Sequence, residues 1–218
     1  MTDAEEQVAL RTERLKLRRF TEADADQLIA LDSDPEVMRY LNGGAPTPRD
    51  VIEREILPGF LRSYEQGEGY GVWAAIEVVT ADFLGWFSLQ RRVDGEPGDA
   101  TLGYRLRRPA WGKGYATEGA RALIRKGFTE AGARRIVATT YQDNTASRRV
   151  MEKAGMTLAR VYRLAPADLA AESSTFVPSG ELWDGDDVEY ALSRADWERQ
   201  DAATDEGHGK ERGDAGLR

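Results

Sequence analysis

The chain has 218 residues, a net charge of −8, 41% hydrophobic residues and no cysteine. That length suits one ordinary domain and can bury a core without staples, while the missing cysteines exclude a disulfide framework, a zinc–thiolate site and a thiol nucleophile. The negative balance argues against nucleic-acid binding, the acidic start "MTDAEEQVAL" lacks a signal-peptide core, and no stretch approaches the roughly 18 apolar residues of a membrane span, so a soluble, cytoplasmic protein with neither partner is expected.

"RTERLKLRRF" alternates at Leu15 and Leu17 and predicts a first strand. Thr21 to Asp24 resembles a capping box, and Leu28, Ile29 and Leu31 continue it with helical spacing. A second helix starts at Thr47-Pro48-Arg49-Asp50 and should kink or restart at Pro58. "YGVWAAIEVV" and "DFLGWFSLQRRV", joined by Thr80-Ala81-Asp82, predict a hairpin, and "DATLGYRLR" a further strand. The helix after Gly114 carries Ala116, Ala120, Leu123, Ile124 and Phe128 on one side. "RRIVATTYQ" reads as a strand, "NTASRRVMEKA" as a short helix closed by Gly155, and "MTLARVYRL" and "DVEYALS" as the last strands. The order β-α-α-β-β-β-α-β-α-β-β predicts an α/β (α+β) single domain. Its mixed, mostly antiparallel sheet has about seven strands with helices on both faces.

Residues 165–187 form a long connection of the kind that is more often functional than idle. The domain is expected over 10–198, after an extension of residues 1–9. From 199 to 218 the chain lacks apolar periodicity and is expected to be disordered. That tail holds the only histidine, His208, so a histidine-dependent mechanism and a histidine metal site have no support. Trp73, Trp86, Phe87, Tyr141 and Trp183 could line a pocket, although strand aromatics are more often core.

The informative stretch is "RRPAWGKGYATEGARALIRKGF", residues 107–128. Glycines at a strand-to-helix turn bring backbone N–H groups to an anion, and the helix N-terminus adds partial positive charge. Between residues 105 and 149, eleven Arg or Lys stand against three acidic residues, which is either a set of solvated helix faces or a local field for a phosphorylated ligand. A triphosphate-binding loop fails because Ala120 and Arg121 follow Gly114 and Gly119 where Lys and Ser/Thr are needed. A dinucleotide fingerprint fails because Thr117 replaces the third glycine and the strands upstream meander.

"LGYRLRRPAWGKGYATEGARAL" followed by "NTASRRVMEKAGM" resembles the GNAT superfamily of acyl-CoA-dependent N-acyltransferases. "TERLKLRRFTEADADQLIAL" and "SDPEVMRYL" are similar to its branch of ribosomal-protein N-terminal acetyltransferases, and the likeness covers roughly residues 10–198. The resemblance implies acetyl-CoA, or another acyl-CoA, as co-substrate, no metal, and a small-molecule amine or a protein N-terminus as acceptor. Homodimers are common among such relatives. It implies a pyrophosphate loop over Gly112, Lys113, Gly114, Tyr115, Ala116 and Thr117, with Trp111 in place of the usual Gln or Arg. Tyr104, Arg105 and Leu106 are implied beside the pantetheine arm, where two parallel strands splay and leave backbone groups unpaired. Asn144 matches a cofactor-contacting Asn and equally suits an N-cap. Ser147 matches the serine implied near the thioester sulfur; its plainer reading is a second capping or solvent-facing hydroxyl.

Some relatives carry a basic Glu and an acidic Tyr where this chain has Thr139 and Met151. That departure leaves the base open among Asp99, Glu77 and Asp143, with Glu118 supporting the loop, and it admits a non-catalytic acyl-CoA-binding module as the alternative to an N-acyltransferase.

Overall fold

The computed structural model describes residues 8–93, 95–163 and 185–213, those after 203 as backbone alone. Eight strands form one sheet in the order β1-β2-β3-β4-β5-β6-β8-β7. They are β1 (Val8–Arg11), β2 (Leu15–Arg19), β3 (Gly71–Glu77), β4 (Phe83–Arg91), β5 (Asp99–Leu106), β6 (Arg135–Tyr141), β7 (Thr157–Tyr162) and β8 (Asp187–Ser193). Only β5 and β6 pair in parallel; the other neighbours are antiparallel. The strand beyond the expected seven is β1, whose Val8 pairs with Arg18, so the sheet begins inside the stretch expected as an extension.

Alternation within the strands divides the core into two layers. Leu15, Leu17, Trp73, Phe87, Leu89, Leu102 and Ile136 point to one face. There they meet α5 (Tyr115–Thr129) and α6 (Thr145–Lys153). Val72, Ala74, Ile76 and Trp86 point to the other face with Leu28, Ile52 and Phe60. The helices on that side are α1 (Ala25–Asp32), α2 (Pro35–Asn42), α3 (Arg49–Val51) and α4 (Leu57–Arg62). Trp73, Trp86 and Phe87 are therefore core residues. Trp183 lies outside the described residues.

The restart at Pro58 is a π-helical turn, Ile52–Ile56, followed by α4 with the proline in its first turn. Proline has no N–H to give residue 54, so the ladder shifts register rather than continuing. Helix α5 owes its closeness to the sheet to glycine. A Cβ at Gly119 would stand 2.3 Å from the Phe87 ring, and one at Gly127 would stand 2.9 Å from Ile136 Cδ1.

On the α1 side of β6 and β8, buried Glu189 is ion-paired by Arg92, Arg135 and Arg160 at 2.9, 3.1 and 3.0 Å. Burial pushes this carboxyl up, but the bonds from Arg92 and Arg160 outweigh it and hold it below the ordinary range. Residues 199–213, part of the tail expected to be disordered, continue the helix α7 (Arg194–Gly213). Anchors at its start supply the reason: Trp197 packs 5.4 Å from Phe128, Arg125 pairs with Asp201 at 2.8 Å, and Gln200 donates to the Gly155 carbonyl. Among the described residues no helix is long and apolar enough to cross a membrane.

Candidate active site

The parallel pairing of β5 with β6 covers only Asp99–Thr101 against Arg135–Val137. Beyond it the strands part: β5 follows β4 until Leu106 lies opposite Gly85, and β6 follows β8 until Tyr141 lies opposite Asp187. A wedge-shaped gap opens between their C-terminal halves, with Tyr104, Arg105 and Leu106 on one lip. The expectation that this lip is unpaired is corrected at one atom, because the Trp111 indole N–H donates to the Leu106 carbonyl at 2.7 Å. The substituted Trp thus ties the loop to the strand end. Its motif position gave no signal of that bond.

The glycine loop lies where β5 ends. Gly112 and Gly114 hold φ of 71° and 86°, in the region that favours glycine. Gly114 is the N-cap of α5 and supplies no side-chain cap. The first intrahelical bond is Glu118 N–H to Gly114 O at 3.0 Å, leaving the amides of Tyr115, Ala116 and Thr117 without helix partners. Lys113 sits between the two glycines.

Two distant turns brace this loop. Glu118 accepts from Thr12 Oγ1 at 2.6 Å, from the Arg14 amide at 2.9 Å and from Arg14 Nε at 2.7 Å. Arg14 also donates to the Lys113 carbonyl at 2.9 Å and lies 4.6 Å over the Tyr115 ring. Burial pushes the Glu118 carboxyl up, but the bonds from Thr12 and Arg14 prevail and hold it below its ordinary value. From the other side, the Tyr115 hydroxyl donates to Glu77, which also accepts from Thr80 at 2.6 Å. A groove of about 840 Å³ runs beside the loop, with Arg11, Arg14, Arg121, Arg125 and Lys153 on its walls. Glu118 therefore supports the loop as its position suggested, whereas Arg14 has no sequence signal linking it to residues a hundred positions away.

Asn144 is the N-cap of α6: its Oδ1 accepts from the Ser147 amide at 3.2 Å, and its Nδ2 donates to Thr140 Oγ1 at 3.0 Å. Ser147 faces the gap from the first turn of α6. Its Oγ is 2.9 Å from the Tyr104 hydroxyl, which also donates to the Ser147 carbonyl at 3.1 Å. Among the described hydrogen bonds the serine hydroxyl meets the tyrosine rather than a backbone N–H of its own helix.

The structure separates the other candidates. Met151 is buried in the core, and Thr139 is exposed on β6. Glu77 serves Tyr115, and Asp99 sits at the closed end of the gap beside Arg135 at 3.4 Å. Asp143 lies in the turn between β6 and α6, at the open end. Helix α2 crosses that end: Asp34, just before it, pairs with Arg108 at 3.6 Å, and the Tyr40 hydroxyl donates to the Asp143 carbonyl at 3.3 Å. A buried pair escaped the sequence reading altogether. Arg105 Nη1 meets Asp32 Oδ2 at 2.6 Å, its guanidinium 5.2 Å from the centre of the Trp86 ring. No spacing rule connects a strand residue with a helix end 73 positions away.

The chain matches the family model described as Acetyltransferase (GNAT) domain over residues 14–157. It is 27% identical over 199 residues to the FsC-acetyl coenzyme A-N(2)-transacetylase of Aspergillus fumigatus, covering 88% of this chain and 79% of that protein. It is 36% identical over 139 residues to the uncharacterized N-acetyltransferase p20 of Bacillus licheniformis, covering 63% and 76%. An acetyltransferase of the GNAT family from Bacillus anthracis superposes with a TM-score of 0.65 at 25% identity, covering 85% of this chain and 98% of that one. A fold likeness alone links the chain to RimL, a ribosomal L7/L12 alpha-N-protein acetyltransferase in complex with coenzyme A, with TM-score 0.66, 18% identity and coverage of 85% and 97%. With a family model spanning most of the chain, the wedge and its glycine loop acquire a name: the protein belongs to the GNAT acetyltransferases, enzymes that move an acyl group from coenzyme A to an amine.

Proposed function

We propose that this protein acetylates a cationic primary amine at the open end of the β5–β6 gap, by direct attack on acetyl-CoA within a ternary complex. The observation that carries this reading is the adjoining of two features: a parallel pair that separates after Thr101 and Val137, and a left-handed glycine loop at the end of the same strand. The first suits a thin, peptide-like arm that hydrogen-bonds along a strand edge. The second suits a pyrophosphate held by the amides of Gly112 to Thr117, with the Lys113 side chain beside them. The basic walls of the neighbouring groove favour the remaining phosphate.

The acceptor enters beneath α2. The acidic balance of the chain favours a cationic amine. The names of the relatives mark the range: an N(2) position for the FsC-acetyl coenzyme A-N(2)-transacetylase of Aspergillus and the alpha-N of ribosomal L7/L12 for RimL. An amine with a pKa near that of Lys, about 10.4, must first lose a proton. Water at the mouth, beside Asp143, takes it. A backbone N–H of the β5 lip faces the developing oxyanion. Ser147 Oγ gives a proton to the departing thiolate, whose pKa lies near that of Cys, about 8.5.

Thiol release from acetyl-CoA across a panel of polyamines, amino-acid amides and short peptides tests the reading. Amine-dependent release with an acetylated product is expected, and Ser147→Ala should lower kcat by about 100-fold while leaving acetyl-CoA affinity unchanged. Native kcat in that variant would remove the serine as proton donor. Tight binding with no amine turned over would favour the non-catalytic module.

A further inference from the structure

Tyr104 was expected beside the cofactor through its backbone, yet its side chain also makes a hydrogen-bonded link across the gap, to Ser147. It stands three residues past Thr101, the last β5 residue paired with β6, where the lips have separated. It points to the face that carries α5 and α6, its ring 6.1 Å from Phe87. There the phenol reaches α6 and touches a single residue at two atoms, the carbonyl at 3.1 Å and the hydroxyl at 2.9 Å. We propose that Tyr104 is a positioning residue: it orients the Ser147 hydroxyl so that the serine proton points at the leaving sulfur. The proposal rests on the reading of Ser147 as the proton donor.

Proton counting makes the case. A phenol has one proton to give. When it donates to the Ser147 carbonyl, Ser147 Oγ–H donates back to the phenol oxygen and points away from the gap. When the phenol rotates its proton onto Ser147 Oγ, the serine proton must leave that axis and is available to a third atom. A small torsion of one O–H bond separates these two arrangements. Asn144 holds the Ser147 amide at 3.2 Å, so the serine cannot turn to cap its own helix instead.

The reaction balances without an added reagent. The C–S bond breaks with its electron pair on sulfur, and sulfur takes the Oγ proton as Oγ takes another from the water beside it, so that no free serine alkoxide forms. The proton released by nitrogen as the C–N bond forms returns to Ser147 through water. Tyr104 keeps its own proton throughout. Burial pushes its phenol up to about 12, more than the opposing hydrogen bond from Ser147 lowers it. With its hydroxyl turned to Ser147 at both contacts, the tyrosine serves as a lasting donor to the serine rather than as a second acid.

The test compares Tyr104→Phe, Ser147→Ala, the double variant and Ser147→Thr in the full chain, using the fastest amine of the panel. Phenylalanine keeps the ring against Phe87 and removes only the hydroxyl. Tyr104→Phe should lower kcat by about 10-fold or more, with acetyl-CoA affinity by calorimetry at its native value and the unfolding midpoint lowered only slightly. The double variant should be no slower than Ser147→Ala alone, because the two hydroxyls act as a unit. Ser147→Thr, which keeps the donor, should retain most of kcat only while Tyr104 is present. Native kcat in Tyr104→Phe, or losses that multiply in the double variant, would overturn the proposal while leaving acetyl transfer standing. A Tyr104→Phe loss confined to acetyl-CoA affinity would overturn it in favour of a purely structural tyrosine. Native protein that turns over no amine would overturn the function and the proposal together.

Discussion

At Gly114 the backbone conformation and the chemistry make the same demand. Its φ of 86° disfavours any side chain, and a Cβ there would lie 3.3 Å from Arg14 Nη2, on the guanidinium that braces the loop. Gly114→Val should therefore weaken acetyl-CoA binding by about 10-fold or more, since strain at such a position costs about 1–3 kcal/mol. Unchanged affinity in a calorimetric titration would place the coenzyme elsewhere. Glu118 offers a second handle, through pH. Its folded pKa lies below its ordinary value of 4.5, so its contribution is fully present above that pH and is lost as the pH falls through the folded value. Glu118→Gln should cost about 1 kcal/mol at neutral pH, the half-exposed Arg14 being partly screened. The gap in unfolding midpoint between variant and native protein should close on acidification below pH 4.5. A gap that persists there would mean that the Glu118 charge is not what holds Arg14.

Helix α5 shows how an element is placed by what it lacks. Glycine inside a helix costs about 1 kcal/mol against alanine, yet Gly119 lets the helix rest on Phe87. Gly119→Ala should gain helix propensity and still destabilise the protein by about 1–3 kcal/mol through overpacking. A stabilised variant in chemical denaturation would show that the helix can shift freely. The elements also show which features the sequence could carry. Helix starts at Thr21 and Pro48, the break at Pro58, the hairpin through Ala81 and the loop at Gly112–Gly114 are local signals, and each stands where its residues predict it. The start of α7 was missed because its anchors, Trp197 on Phe128 and Asp201 on Arg125, are tertiary and outweigh weak periodicity.

At the scale of the molecule, the gap lies where β5 stays paired with β4 and β6 stays paired with β8, which sits between β6 and β7. The parallel crossover and the glycine loop were legible; the long-range links were not. Arg14 with Glu118, Arg105 with Asp32 and Tyr104 with Ser147 join residues 104, 73 and 43 positions apart. Such pairs are fixed by how layers pack, and no local spacing encodes them. The same packing brings α2 over the mouth of the gap, on the face away from α5 and α6. Acetyl transfer at that gap is the central proposal for this protein. Its most direct test is mass spectrometry of a mixed pool of primary amines incubated with isotopically labelled acetyl-CoA and the protein, beside the Gly114→Val variant. Labelled acetyl amide on one class of amine, strongly reduced with the variant at subsaturating acetyl-CoA, is the result predicted. An unlabelled pool despite saturated coenzyme binding, or equal labelling by the variant, would contradict it.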